Sequence, residues 1–158
     1  MALKKVYIGE TADGNTNVIT AMIAPVANVQ VVDADRGKAV KLSADSTYAI
    51  CAAGDEMEGV ITSVENFTAN GNAVVGIRTD GNKEAIITNA GWAIRDYVVA
   101  DAQAARGTLN DANQFPRPKV KTLVGGIVAA SAFQWRVASI VPGNTLGAAN
   151  AVVVLERV

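Results

Sequence analysis

Between Ala53 and Gly107 the sequence is cut into apolar runs of five to seven residues by Gly, Asn and Asp, and this spacing constrains the fold more than any other feature. Residues 57–63, 73–78, 84–88 and 97–101 are the runs, and most are rich in Val, Ile or Thr. Branched side chains fit a pleated, half-buried surface, so each run reads as a short strand. Short strands at near-regular intervals bury their apolar faces by stacking two sheets or by closing one sheet on itself. The expected fold class is mainly β: a single β-sandwich or β-barrel-like domain with an extended N-terminal arm and at most one or two short helical turns.

Turn chemistry sharpens this picture. Asp80-Gly81 separates the run ending at Arg78 from the run beginning at Glu84, and Asp-Gly suits a hairpin that needs positive φ at both central residues. Asn70-Gly71 predicts the same after Phe67, while Gly91 and Gly107 are expected to mark the ends of one excursion across a sheet. Pro25 divides residues 18–32 into two extended pieces, because Pro donates no hydrogen bond to a central ladder. Residues 33–37 form a turn into a strand at 38–42. Ser43 is placed to cap a helical turn running to Ala53, with a second helical turn over 102–106. Phe115, Pro116, Arg117 and Pro118 make an extended connector. Residues 119–130 and 133–141 follow as apolar runs, and 150–158 as a terminal strand. The two Val-rich halves share composition but no spacing, so no internal repeat is expected.

With 158 residues the chain suits one domain. It is expected to comprise residues 21–158 behind an arm of 1–20, in which Val6, Tyr7 and Ile8 form a brief edge strand; the arm reads either as a loose terminus or as a segment that orders on a neighbouring subunit. The apolar content is dominated by 28 Ala and 22 Val, so each buried side chain removes less surface from water than Leu or Phe would. Such a core gains from contact with neighbours. A net charge of −1 and a pI near 5.4 supply no broad basic field for a phosphate backbone, and no nucleic acid partner is expected. The uncharged stretches 14–32 and 137–155 contain Asn, Thr and Pro, unlike a bilayer helix, and the apolar run after Lys4-Lys5 is too short for a secretory signal.

The chain has no histidine, which removes the commonest general base and with it Ser-His, Cys-His and His-metal arrangements. Cys51 is the single cysteine, so no intrachain disulfide forms. Asp13, Asn15 and Asn17 open like a calcium loop, but Val18 and Ala24 stand where Gly and Glu are required. Gly125-Gly126 has no following Lys to make a phosphate cradle. No catalytic, cofactor or metal residues are expected. Two charged features remain. Asp55, Glu56 and Glu58 form the densest acidic cluster, set at a turn into a strand. Arg117, Lys119 and Lys121 alternate, so an extended chain presents all three on one side. The bland reading of that stripe is a solvated edge guarded by charge; the sharper one is a contact with an acidic patch on a partner, such as the cluster of a sister subunit. Among the aromatics, Phe133 and Trp135 read as core, and Trp92, beside Gly91 at a loop end, as an interface anchor.

Taken in order, the chain runs from Gly54, Asp55, Glu56, Met57, Glu58, Gly59, Val60 and Ile61, through Val74, Val75, Gly76 and Ile77, to Ile86–Ile94 and then Asp96, Tyr97, Val98 and Val99. That order resembles the capsid decoration, or cement, proteins of tailed bacteriophages. Members of that group run from an acidic pair with Gly-Val-Val, through a short Val-rich strand and Gly-x-Ala-Ile, to Gly-Asp-x-Val. The likeness covers roughly a third of the chain. Arg95 departs from it, standing where a Gly is usual before the Asp. The resemblance implies a structural virion protein on the outer capsid surface, bound to the major capsid protein, homo-oligomeric with a trimer favoured and a dimer as the alternative, and without cofactor. Val6, Tyr7, Ile8, Asp55, Glu56, Glu58, Trp92, Arg117, Lys119 and Lys121 are the interface candidates. A carbohydrate- or receptor-binding β module of a fibre or spike is the alternative function.

Overall fold

Alternating burial along the Val- and Ile-rich runs is what turns them into strands that curve around a core. The computed structural model describes residues 18–43, 47–65, 73–79, 81–103, 117–123 and 134–158. Within them are β1 (Val18–Ile23), β2 (Ala39–Leu42), β3 (Tyr48–Ile50), β4 (Gly59–Glu65), β5 (Ala73–Arg78), β6 (Lys83–Ile87), β7 (Tyr97–Ala100), β8 (Lys119–Thr122), β9 (Trp135–Ile140) and β10 (Ala151–Arg157), with one 3-10 turn at Asp33–Asp35. The protein is mainly β, as its spacing predicts, and the sheets close.

They close twice. The first five strands form a barrel in the order β1-β3-β2-β4-β5, and the last five form a second in the order β6-β8-β7-β9-β10. Each barrel has one parallel pair, β1 with β3 and β6 with β8, and every other neighbour is antiparallel. The sequence carries no repeat in spacing, yet the topology is repeated. Loops of unequal length hide it: 24–38 joins β1 to β2, whereas 88–96 joins β6 to β7.

Two apolar clusters fill the structure. Ile23, Val31, Tyr48, Ile61, Val75 and Ile77 lie inside the first barrel. Ile87, Val120, Trp135, Val137, Val153 and Leu155 fill the second, and Ala39, Cys51, Met57 and Val60 of the first barrel are buried together with them. The barrels are thus welded along a seam of small and medium side chains. Trp135 Nε1 donates to the Met57 carbonyl across it, at 2.8 Å. Two backbone bonds also cross, from Gly54 N to Ala100 O and from Ala100 N to Asp55 O.

Two local expectations are corrected. Gly81 has the positive φ, +68°, that its turn requires, but β5 pairs with β1 and β4 while β6 pairs with β10 and β8. The link at Gly81 therefore passes between barrels instead of closing a hairpin; Asp80 lies outside the described residues. Ser43 caps no helix. Its N–H and its hydroxyl both reach Thr47 O, closing a connection between β2 and β3, and strand β3 stands inside the expected helical stretch. Of the excursion expected from Gly91 to Gly107, the described residues 91–103 hold strand β7, and Gly107 lies outside them. Of the arm expected at 1–20, residues 18–20 belong to β1 of the first barrel, and residues 1–17, Asn70-Gly71, residues 104–116 with Phe115, and Phe133 lie outside the described residues.

Candidate interaction surface

Where the first barrel's long 24–38 connection meets the seam, the surface is apolar and concave. Pro25 ends the extended run after β1, and the chain then reverses on Ala27 and Asn28, whose φ angles are +48° and +66°. Positive φ at both central residues defines a tight two-residue hairpin turn whose twist matches its flanks. Val26 and Val29 bond to each other through both backbone groups, at 2.9 and 2.8 Å. The two residues are 48 % and 51 % exposed, so the tip presents two valines to solvent. Ala27 in this region carries a steric cost that Gly would avoid.

Below the tip lies a cleft of about 510 Å³ lined by Val26, Val29, Asp35, Lys38, Ile50 and Cys51, and on its far side by Ala102 and Gln103. Its polar groups hold one another. Lys38 Nζ lies 2.6 Å from Asp35 Oδ1, both buried, and Asp35 Oδ2 accepts from Val32 N at 2.9 Å. A buried ion pair needs such extra bonds to offset desolvation. The Gln103 amide bridges the barrels: its Oε1 accepts from Ala39 N of β2 and Lys119 N of β8, and its Nε2 donates to Asp101 O and Lys119 O. The Cys51 thiol donates weakly to Glu56 O, and burial first, with Asp55 and Glu58 adding to it against Lys41, pushes it up to about 12. A thiol held protonated is a poor nucleophile. Among the described residues no group of three or more Cys, Asp or Glu is placed to hold a metal ion. The cleft combines an apolar rim with polar groups that are engaged with one another.

The candidates read from sequence are dispersed around this seam. Asp55 pairs with Lys41 Nζ at 2.6 Å and accepts from Ala52 N. Burial raises its carboxyl, but the Lys41 bond and the Ala52 N–H outweigh that and leave it below the usual range. Glu58 accepts from the Tyr48 hydroxyl at 2.9 Å and from Leu42 N at 3.0 Å, while Glu56 is exposed. On β8 and its approach, Arg117, Lys119 and Lys121 alternate with buried Pro118 and Val120, as the stripe predicts. Arg117 pairs with Glu84 of β6 at 2.9 Å. Ala100 and Asp101 lie between the two charged features: Ala100 N donates to Asp55 O and Asp101 N to Lys119 O. Acidic turn and basic strand therefore flank one segment of one molecule. Trp92 is 3 % exposed and donates through Nε1 to Ala148 O, so it sits in the core of the second barrel and is no surface anchor. The positive φ of Gly91, +81°, is followed by the residue that folds inward. Val6, Tyr7 and Ile8 lie outside the described residues.

Sequence reading missed Val26, Val29 and Gln103. The signal for the first two is an Asn, tolerant of left-handed backbone, in a two-residue gap between valines three residues after the strand. Gln103 carries none, because its role exists only once the barrels meet. No protein family, curated protein or solved structure matches this chain. Among the described residues no helix is long and apolar enough to cross a membrane.

Proposed function

We propose that the protein is a cement-type structural module that binds the outer surface of an assembled phage capsid and braces junctions between major capsid protein subunits. The observation that carries this reading is the valine-tipped hairpin at the barrel seam. Two half-exposed apolar side chains, held on a turn with strained backbone, form a small preorganised knob of the sort that seats in a pocket on another protein. The resemblance of residues 54–99 to decoration proteins supplies the partner. A ligand that binds the assembled lattice and not its separated subunits stabilises the lattice by mass action, and many weak increments add over a shell. A trimer at local threefold positions would match the symmetry of such a lattice. The glycan-binding alternative calls for exposed aromatic platforms, and among the described residues Trp92, Trp135 and Tyr48 are buried in the cores and Tyr97 is half-buried.

The test mixes purified chain with undecorated shells and measures bound copies and the temperature of shell rupture. Saturable binding with a raised rupture temperature is expected, and the double variant Val26→Asp, Val29→Asp should bind at least about tenfold more weakly, since each loses an apolar contact worth roughly 1 kcal/mol or more. Shells that neither bind the chain nor gain heat resistance would remove the proposal.

A further inference from the structure

We infer that the chain is a fused tandem duplicate of one five-stranded barrel unit, whose two copies keep the same strand order and register. This does not depend on capsid binding. Strand order alone is a weak argument, because few ways exist to close five short strands. Register is a stronger one.

Superposing the parallel pairs sets Ile23 with Ile87 and Tyr48 with Val120, since Ile23 pairs with Tyr48 and Ile87 with Val120. Every other ladder then follows without adjustment. In β1 against β5, Ile23, Ala21 and Ile19 face Ala73, Val75 and Ile77; in β6 against β10, Ile87, Ala85 and Lys83 face Ala151, Val153 and Leu155. Val40 pairs with Ile50 and Gly59, as Val98 pairs with Thr122 and Trp135. Even the irregularity is shared. Between β4 and β5 the register slips after Ile61–Ile77 and resumes at Ser63–Gly76; between β9 and β10 it slips after Val137–Leu155 and resumes at Ser139–Val154. One extra residue, Thr62 or Ala138, stands at the same step of the same strand, and such bulges are features a fold keeps.

The connections agree as well. Cys51 N donates to Ala39 O and Leu123 N to Tyr97 O; Ala24 N donates to Tyr48 O and Thr88 N to Val120 O; Ser43 N donates to Thr47 O and Asp101 N to Lys119 O. Each pair occupies equivalent positions under the one alignment. Most inward-facing equivalents are apolar and buried: Ala21 and Ala85, Ile23 and Ile87, Val40 and Val98, Ala73 and Ala151, Val75 and Val153 are identical, and Ile61, Tyr48 and Ile77 become Val137, Val120 and Leu155, whereas half-buried Ile19 becomes buried Lys83 and Ile50 becomes Thr122. Independent convergence would have to reproduce strand order, register, a bulge and loop bonds together.

The copies differ at their surfaces. The valine-tipped hairpin belongs to the first barrel's 24–38 connection and has no counterpart in the shorter 88–96. On the second barrel, Glu84 with Arg117 and Arg136 with Glu156 form ion pairs, where the first has Thr20 in place of Glu84 and Val60 in place of Arg136. One copy carries the apolar knob and the other these two ion pairs.

Strand exchange in the full chain tests this. In frame, β6 takes the residues of β1 through Lys83→Ile, Glu84→Thr and Ile86→Met, with Ala85 and Ile87 already matched. Shifted by one residue, the same graft reads Lys83→Val, Glu84→Ile, Ala85→Thr, Ile86→Ala and Ile87→Met, and turns its faces over. Because Lys83 is buried and bonded, a second strand guards against a local failure. There the in-frame graft is Val154→Gly, Leu155→Ile and Glu156→Arg, and the shifted one Ala151→Val, Val153→Gly, Val154→Ile, Leu155→Arg and Glu156→Thr. Thermal unfolding followed by circular dichroism should show each in-frame graft melting cooperatively, about 10 °C or more above its shifted counterpart. An in-frame graft that melts no higher than its shifted counterpart, in either strand, overturns the inference.

Discussion

Gly37 and Arg95 hold the same backbone geometry in different barrels: their φ angles are +86° and +77°, and each donates its N–H over 2.8 Å, the first to Ile61 O and the second to Val137 O. Return bonds come from Ile61 N to Lys38 O and from Val137 N to Asp96 O. The bond pattern fixes the left-handed backbone, and the side chain has to accept it. Glycine does so freely, whereas an L-residue with a β-carbon loses about 1–2 kcal/mol there.

Arg95→Gly is therefore expected to stabilise the protein. Arg95 is exposed, so little contact is lost with its side chain, and the gain is offset in part by the greater freedom of Gly in the unfolded chain. A net gain near 1 kcal/mol would raise the thermal midpoint by about 2–4 °C for a chain of this size. Gly37→Ala should shift it the other way. Calorimetry showing a lower midpoint for Arg95→Gly would mean that the guanidinium supports the loop.

Gly59 is constrained by space, not by φ. A β-carbon there would stand 2.6 Å from Ile77 Cγ2 and 2.7 Å from the Arg78 carbonyl oxygen, and the carbonyl belongs to a paired strand that cannot yield. Gly59→Ala should cost about 1–3 kcal/mol, the range for forced overpacking. Gly143→Ala meets nothing within 4 Å and carries only the penalty of φ +88°, about 1 kcal/mol. Urea midpoints that rank Gly143→Ala as the more damaging change would contradict this packing account.

Most strands were legible in the sequence because the runs alternate and end at turn residues: 73–78 coincides with β5, and 57–63, 84–88 and 97–101 fall within two residues of β4, β6 and β7. Pairing was not. Asp80-Gly81 carries good hairpin chemistry, but turn residues act locally, and whether the flanking strands bond to each other is decided by partners distant in sequence. The repeat escaped for a related reason: its matched positions are small apolar residues common everywhere in this chain, and loops of different length remove any fixed period. Trp92 illustrates the converse error, since a tryptophan next to a loop glycine folds inward when the opposing wall offers a carbonyl, here Ala148 O.

Acid should loosen the seam through Asp101 and Asp55. The Thr88 hydroxyl, 2.5 Å from Asp101 Oδ2, is the main reason that the Asp101 carboxyl lies below its usual value; burial opposes it, and Ala102 N, Lys121 and Lys119 add to it. A carboxylate with a depressed folded pKa contributes stability that is present above its unfolded pKa of about 3.9 and is lost as the pH falls through the folded value. Stability is expected to hold level above about pH 5 and to fall below about pH 4. Asp101→Asn should be less stable than the parent at pH 7 and show a shallower decline into acid. Denaturant midpoints with the same acid slope in both proteins would remove Asp101 from this role.

Cys51 gives the opposite sign and a direct view of the seam. Its thiol is buried with Met57, Val60 and Trp135, and burial is the main cause of a rise from the ordinary 9.0 to about 12. A raised pKa means that its contribution to stability is complete below about pH 9 and is lost as the pH climbs toward 12. The same rise governs reactivity, because only the thiolate attacks. At pH 8 the folded chain holds roughly a thousandfold less thiolate than the unfolded one, before any steric shielding. Iodoacetamide should therefore label the native protein at least about a hundredfold more slowly than the urea-unfolded protein. Trp135→Phe deletes the Nε1 bond to Met57 O and leaves space in the seam, so it should speed labelling of the native state and lower its stability by about 1–3 kcal/mol. Labelling that runs at one rate in native, variant and unfolded protein would mean that Cys51 is open to solvent and that the barrels are not welded where their cores meet.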